Sequence, residues 1–389
     1  MLRFAVRLIC DSVRGMAGPP EQSSALLASV AASSALVYRD LGGIATRSLK
    51  SAFTSIQRAN VIKISSAVFL ILYFLLPSTS SAKWKYFRIG NATDSTAVPR
   101  GGFALMGGGV QQDPAFRFLC ERANHGDFLI LRADTEDDYA QQVNKEINAV
   151  CPLNSVATIV FSERDDSDDP KVAALIQQAE VIFLAGGDQS NYVRFWQDTP
   201  VQDALNRHIA AGKPIGGSSA GLAVLGEFSF SSMIDTIHSP EALVDPYGNK
   251  VTLSRDFLRI PLLAATITDT HFVKRDRLGR LLVFMARILH DGWAPAVRAI
   301  AVDENAAVLL ESDGTGNVVG GPAYFLEASK PPEVCRRKTP PTFSGIGVHR
   351  APPGTSFNVK SWKGESGDDY VLNVAGGQVK ASGSEHGLY

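Results

Sequence analysis

The sequence has no excess of charge of either sign: 38 Lys and Arg stand against 39 Asp and Glu over 389 residues. Without a basic field nothing draws the chain onto a phosphate backbone, and no nucleic-acid partner is expected. Cysteine is scarce as well. Cys10, Cys120, Cys151 and Cys335 show no C-x-x-C spacing, so neither a zinc site nor a disulfide scaffold is indicated, and no metal or cofactor is expected. Cys120 falls on the apolar stripe of a predicted helix, and buried free thiols are the plainer reading. A bridge between Cys120 and Cys151 stays open for an exported chain. Long apolar runs are lacking too. The longest, Ala67 to Leu76 (AVFLILYFLL), falls well short of the roughly 20 residues that span a bilayer.

That short run has the shape of a secretory signal. Lys63 precedes it, Pro77 follows it, and the small residues up to Ala82 put Ser80 and Ala82 at the −3 and −1 positions of a cleavage site. Residues 61–82 are therefore expected to be a signal peptide, with a secreted or periplasmic address. If the segment stays uncleaved, residues 64–76 become a membrane anchor; a buried core helix is the remaining alternative. Residues 1–60, rich in Ala, Ser and Arg and poor in acid, are expected to be an unstructured extension or a stretch read from too early a start, with translation beginning near Val61.

From Lys83 onward, 45% hydrophobic and 20% charged residues over the whole chain suffice for a sizeable core. Short apolar runs alternate with longer amphipathic stretches, which predicts a parallel sheet covered by helices. Strands are expected at Phe103 to Met106, Phe128 to Leu131, Val156 to Phe161, Val181 to Leu184 and Pro214 to Gly216. Helices are expected at Asp113 to Asn124, Tyr139 to Val150, Lys171 to Ala179 and Val201 to Ala211, with Gly212 past the last of them. The fold class is thus α/β, a doubly wound, mostly parallel sheet with helices on both faces, over a catalytic domain of residues 83–338. A strand near Leu262 to Thr268, a basic helix from about Arg277 to Leu289 and a strand pair around Ile300 to Leu310 should follow. Pro, Gly and Ser rise from Thr339, and a small β-rich tail is expected over residues 339–389.

In such sheets ligands bind beyond the carboxyl ends of the strands. Three strand-following loops carry unusual residues: Gly107-Gly108-Gly109, Gly186-Gly187-Asp188-Gln189 and Gly216-Gly217-Ser218-Ser219-Ala220-Gly221. The last fits G-x-S-x-G between a strand and a helix beginning near Leu222. There a sharp turn presents the serine hydroxyl, and the N–H of Ala220 can face an oxyanion. Ser219 is the candidate nucleophile; an ordinary glycine-rich turn is the alternative. Of seven histidines, His271 follows an apolar run that would deliver it to the same rim, and His238 is the rival. His125, His208, His290, His349 and His386 read as surface or core residues. Asp303 and Glu304 stand in an otherwise apolar predicted strand, where a charge is costly without a partner. Glu304 is the chosen acid and Asp303 the reserve. The order Ser, His, acid departs from the Ser, acid, His order of α/β-hydrolases.

Arg275, Arg277 and Arg280 follow His271, with Asp276 as an expected N-cap. Cations in a first helical turn oppose the macrodipole and call for an anion nearby. Recognition of substrate carboxylates answers that need, and a solvated basic face is the alternative.

The motifs GGDQ at 186–189, SSAG at 218–221, DTHF at 269–272 with its three spaced arginines, and VDEN at 302–305 together resemble the cyanophycinases of peptidase family S51 and, more distantly, the aspartyl dipeptidases of the same clan. The resemblance spans roughly residues 101–311, and VHRAPPGTSFNVKSW, from about Gly347, is similar to the C-terminal region of exported members. It implies a class I glutamine amidotransferase-like fold, a triad of Ser219, His271 and Glu304, and an oxyanion hole at Gly187 and Ala220. It further implies a substrate pocket of Gln189, Asp269, Arg275, Arg277 and Arg280, a peptide or polypeptide substrate, and a homodimer. Thr270 stands where the family pattern has glutamine. This departure turns attention from cyanophycin, a polyaspartate bearing arginine on its β-carboxyls, toward other aspartyl or isoaspartyl peptides. A non-catalytic binding protein on the same fold is the reading from a different class.

Overall fold

The computed structural model of the chain describes residues 84–109, 113–134, 138–385 and 387–389. The signal-like segment and everything before it lie outside them. Among the described residues no helix is long and apolar enough to cross a membrane.

Strand β1 (Lys85–Gly90) opens the described chain. Then β2 (Gly102–Met106), α1 (Asp113–Arg122), β3 (Asp127–Arg132), α2 (Asp138–Val150), β4 (Ser155–Val160), α3 (Pro170–Gln178), β5 (Val181–Leu184), α4 (Gln189–Trp196), α5 (Pro200–Ala210) and β6 (Ile215–Ser218) alternate as the periodicity predicts. Strands β4, β3, β5, β6 and β2 lie side by side in that order, all parallel. Period-two alternation serves two cores. Phe103, Leu105, Leu129, Leu131, Ile182 and Leu184 face α3, α4 and α5, while Ala104, Met106, Phe128, Ile130, Val181 and Phe183 face α1 and α2. The α/β class with helices on both faces is therefore as expected. Strand β1 and helix α4 gave no signal that the sequence reading used.

Past the one-turn helix α6 (Ala220–Ala223) come β7 (Phe228–Phe230), the short helix α7 (Ser239–Ala242), β8 (Leu253–Arg255), β9 (Thr266–Asp269), α8 (Leu278–His290), β10 (Val297–Val302) and β11 (Ala307–Glu311). The expected pair around Ile300 to Leu310 is corrected here, because β10 and β11 do not pair with each other. Strand β10 lies in a second sheet, between β9 and β13 (Ala323–Ala328), whereas β11 runs antiparallel on β2 in the first. Asp303 to Ala306 carry the chain across.

The remaining strands, β12 (Thr315–Val319), β14 (Val334–Arg336), β15 (Thr339–Ala351), β16 (Ser356–Asn358), β17 (Lys363–Gly364), β18 (Asp368–Ala375) and β19 (Gln378–Ser382), make the C-terminal region strand-rich. They extend both sheets: β12, β16 and β17 follow β11, while β15, β18 and β19 follow β13. No break in either sheet marks residue 339. Ile300, Val302 and Phe325 of the second sheet share a core with Val308, Leu310 and Val318 of the first. The opposite face of the second sheet packs on Leu281, Phe284, Met285 and Ile288 of α8.

Cys120 and Cys151 form a disulfide across 6.5 Å between Cα atoms, which corrects the reading of free thiols. The bridge joins α1 to the residue after α2, two helices brought side by side on one face of the sheet, a proximity that a separation of 31 residues does not reveal. Closing such a loop contributes about 3.7 kcal/mol in the chain-entropy picture. Cys335 is buried and free.

Candidate active site

The elbow that carries Ser219 is built by the parallel sheet. Strand β6 ends at Ser218 and α6 begins at Ala220, so Ser219 makes the whole turn, at φ 52° and ψ −115°. A non-glycine residue there is strained and is held by its surroundings. The Ser219 N–H donates to Met106 O at 3.1 Å. Gly221 has no room for a side chain: a Cβ would stand 2.0 Å from Leu184 O, so the short helix sits directly on β5. The helix begins at Ala220 rather than near Leu222.

The histidine comes from the second sheet. His271 follows β9, also at positive φ (47°), and its ring is buried. Its Nε2 lies 2.7 Å from Ser219 Oγ, and its Nδ1 lies 2.7 Å from Glu304 Oε1. Glu304 stands in the crossover between β10 and β11, not within a strand as expected. The three residues thus form one hydrogen-bonded chain. Asp303, the reserve acid, does something else: its Oδ1 accepts from the N–H groups of Val273 and Lys274, at 3.1 and 3.0 Å, and so pins the turn after His271.

Burial holds the His271 pKa below its usual value of 6.5. The hydrogen bond that His271 donates to Glu304 opposes this, and the charges of Arg275 and Arg277 reinforce it. Glu304 is held below the ordinary carboxylate range, first by its hydrogen bond with His271. At neutral pH the imidazole is therefore neutral and the carboxylate charged, the states a general base and its orienting acid require.

The loop Gly107 to Gly109 is the seat of this array. Gly107 O accepts from the His271 N–H at 2.9 Å, and Gly108 O accepts from the Asn305 N–H at 2.9 Å. Gly108 has φ +106°, and a Cβ on it would meet His271 Cε1 at 2.4 Å. The sequence marked these glycines as unusual without a role; the role depends on contacts 160 residues or more downstream.

Ser219 opens into a cavity of roughly 360 Å³, lined also by Gly187, Gln189, Ala220, Thr270, Arg275 and Arg277. Gly187 and Ala220 line this cavity together with Ser219. The carbonyl oxygens of Ala185 and Gly186 lie 2.6 and 3.2 Å from Tyr192 Oη, which fixes the loop carrying Gly187. Gln189 donates to Phe230 O at 3.3 Å. Asp188 and Asp235 line the same cavity, with Asp235 on Lys250 at 3.1 Å. Asp188 belongs to the GGDQ loop that the sequence marked and is the N-cap of α4, whereas Asp235 was not singled out in the sequence.

Of the predicted pocket arginines, Arg275 and Arg277 reach the cavity, and Arg280 does not. Arg280 is 2% exposed and grips Asp269 with both Nε, at 2.9 Å, and Nη2, while its guanidinium stacks 5.0 Å from the Phe230 ring. Asp269 and Arg280 are thus corrected from substrate contacts to a buried pair beneath the pocket, because each supplies the charge that the other's burial demands. Asp276 does not cap α8. It sits at positive φ, its Oδ1 accepts from Tyr389 Oη at 2.6 Å, and the same hydroxyl accepts the Leu278 N–H at 3.1 Å.

The other histidines are engaged elsewhere: His125 on Pro152 O, His208 on Pro214 O, His290 on Tyr247 and His349 on Asp369. His238 precedes α7, and His386 lies outside the described residues. Among the described residues no group of three or more His, Cys, Asp or Glu is placed to hold a metal ion.

Fold and site together define an α/β protein with a serine, histidine and glutamate array at its strand ends. Residues 113–244 match the model of peptidase family S51. The chain is 30% identical over 206 residues to the cyanophycinase of Synechococcus elongatus, covering 52% of this chain and 59% of that protein. To the cyanophycinase of Trichormus variabilis it is 28% identical over 166 residues, 42% and 50% of the two chains. A peptidase from an acI-B1 Actinobacterium superposes with a TM-score of 0.47 at 15% identity, covering 67% of this chain and 97% of that one. Residues 113–244 are thus similar to peptidase family S51, and the chain spans about 59% of the length of the first curated cyanophycinases it matches. The family match holds Ser219, Gly187 and Gln189 but ends before His271 and Glu304, which the geometry supplies.

Proposed function

We propose that the chain is a serine-type exopeptidase cleaving aspartyl-type peptide bonds, cyanophycin to β-Asp-Arg dipeptides foremost, through an acyl-enzyme at Ser219. The observation that carries this reading is the continuous hydrogen-bonded chain from Ser219 Oγ through His271 to Glu304, 2.7 Å at each step. Ser219 Oγ attacks the carbonyl carbon beside an aspartyl residue and gives its proton to His271 Nε2. The oxyanion settles on the N–H groups of Gly187 and Ala220. The C–N bond breaks as His271 returns the proton to the leaving amine, and a water, deprotonated by the same ring, releases the acyl group. The cavity supports a substrate bearing both signs of charge, with Arg275 and Arg277 available to carboxylates and Asp188 and Asp235 to a guanidinium.

Thr270 favours a second reading, an aspartyl or isoaspartyl peptidase acting on other substrates, since it removes the family's long amide from the pocket wall. Export through residues 61–82, a membrane contact through 64–76 if uncleaved, and a homodimer belong to the proposal and rest on the sequence alone. The test is dipeptide release from insoluble cyanophycin, and hydrolysis of a panel of isoaspartyl peptides, by the protein and its Ser219→Ala variant. The variant is expected to lose about 10⁴-fold or more. Release of β-Asp-Arg supports the first reading, and activity confined to the panel supports the second. A folded protein that cleaves neither is the non-catalytic binding protein.

A further inference from the structure

Arg277 is held where its charge is poorly offset. Its Nη1 donates to both the carbonyl oxygen and Oγ1 of Thr270, at 2.9 Å each. The carboxylate within ion-pair reach, Asp269 at 3.7 Å, already accepts two nitrogens of Arg280. Two guanidinium groups thus share one buried carboxylate, and burial pushes the Arg277 pKa down to about 10. A desolvated cation with half a counter-charge gains most from an anion supplied by whatever enters the cavity. Thr270 and Arg277 both line that cavity beside Ser219.

We propose that Thr270 is a specificity-determining positioning residue, fixing Arg277 as the receptor for a carboxylate of the substrate. The inference rests on the peptidase reading for its kinetic consequences. The hydroxyl and carbonyl of one residue grip one guanidinium nitrogen and leave the rest of the planar fork to face the ligand. Valine has nearly the same shape but cannot accept a hydrogen bond. In its place Arg277 loses one anchor and is drawn toward Asp269.

The test compares Thr270→Val and Thr270→Ser with the wild type on an isoaspartyl dipeptide and on its counterpart in which the free carboxylate is an amide. Thr270→Val is expected to raise KM for the acid about tenfold, leave kcat within about threefold, and leave the amide peptide unaffected; Thr270→Ser restores the acid. In an Arg277→Gln background Thr270→Val should add nothing, the signature of residues acting as one unit. Additive losses, or equal losses on acid and amide, overturn the proposal. If the wild type cleaves no peptide, the peptidase reading falls. Affinity for N-acetyl-aspartate, measured on the folded wild type and Thr270→Val, then decides the Thr270 inference alone, and equal affinities overturn it.

Discussion

Ser219 comes from the first sheet and His271 from the second, and the two sheets place a side chain by different means. In the first, a strand, a one-residue elbow and a short helix follow one another within Ile215 to Ala223, so a local run of small residues is enough to aim Ser219. In the second, β9 brings His271 to the rim, but the contacts that set its ring are distant in sequence. It is set by Gly107 and Gly108 across the seam, by Glu304 in the crossover, and by Asp303 gripping the turn behind it. A nucleophile can be specified by a motif, whereas a base and its acid are specified by how two sheets meet. Mutations that separate these two modes sharpen the contrast or break it.

The largest effect is expected beneath the pocket in the second sheet. Arg280→Ala removes the two-point partner of the buried Asp269 carboxylate, leaving only Arg277 at 3.7 Å, and should cost about 3 kcal/mol of stability, read by chemical denaturation. Arg275→Ala, at a half-exposed site, should cost less than about 1 kcal/mol. Equal losses would mean that all three arginines do the same work.

Next comes a contrast between two histidines. His208, on the helix Pro200–Ala210 behind the first sheet, has its pKa lowered by burial from 6.5 to about 4. Its folded pKa lies below the unfolded one, so the unfolded chain binds the extra proton first and stability rises with pH across this window. That contribution is complete above about pH 6.5 and is lost as pH falls toward 4, a change of about 3 kcal/mol. His208→Gln should flatten the acid limb of a stability-versus-pH curve. His271, also held below 6.5, should govern kcat/KM instead, which falls as pH drops through its lowered pKa. An activity limb centred above 6.5 would contradict the neutral imidazole.

The smallest of the three effects lies at the seam. Gly108→Ala puts a methyl group into the His271 ring and forces an L-residue to φ +106°. Displacing the base while leaving both sheets intact should lower kcat/KM about 100-fold, with the circular dichroism spectrum unchanged.

The same contrast explains what could be read from the sequence. The five parallel strands of the first sheet and the four helices expected among them, together with Ser219, follow from apolar periodicity and one strained motif. Apolar periodicity cannot say which sheet a strand joins, and so β10 and β11 read as a pair when they part at Asp303. Glu304 was found because a carboxylate among apolar residues needs a partner, yet its place in a crossover was invisible. Arg280 read as a pocket residue because charge is legible in a sequence and burial is not, and Asp269 because the family resemblance implied it. Tyr389, more than 100 residues from the helix it caps, gave no sequence signal at all.

The most direct measurement is peptide mass spectrometry of the full chain after reaction with a fluorophosphonate. The account predicts one phosphonylated residue, Ser219, with labelling that vanishes in His271→Ala and weakens in Gly108→Ala. An unlabelled Ser219 in the folded protein would contradict it, and so would labelling of Ser219 at the same rate without His271.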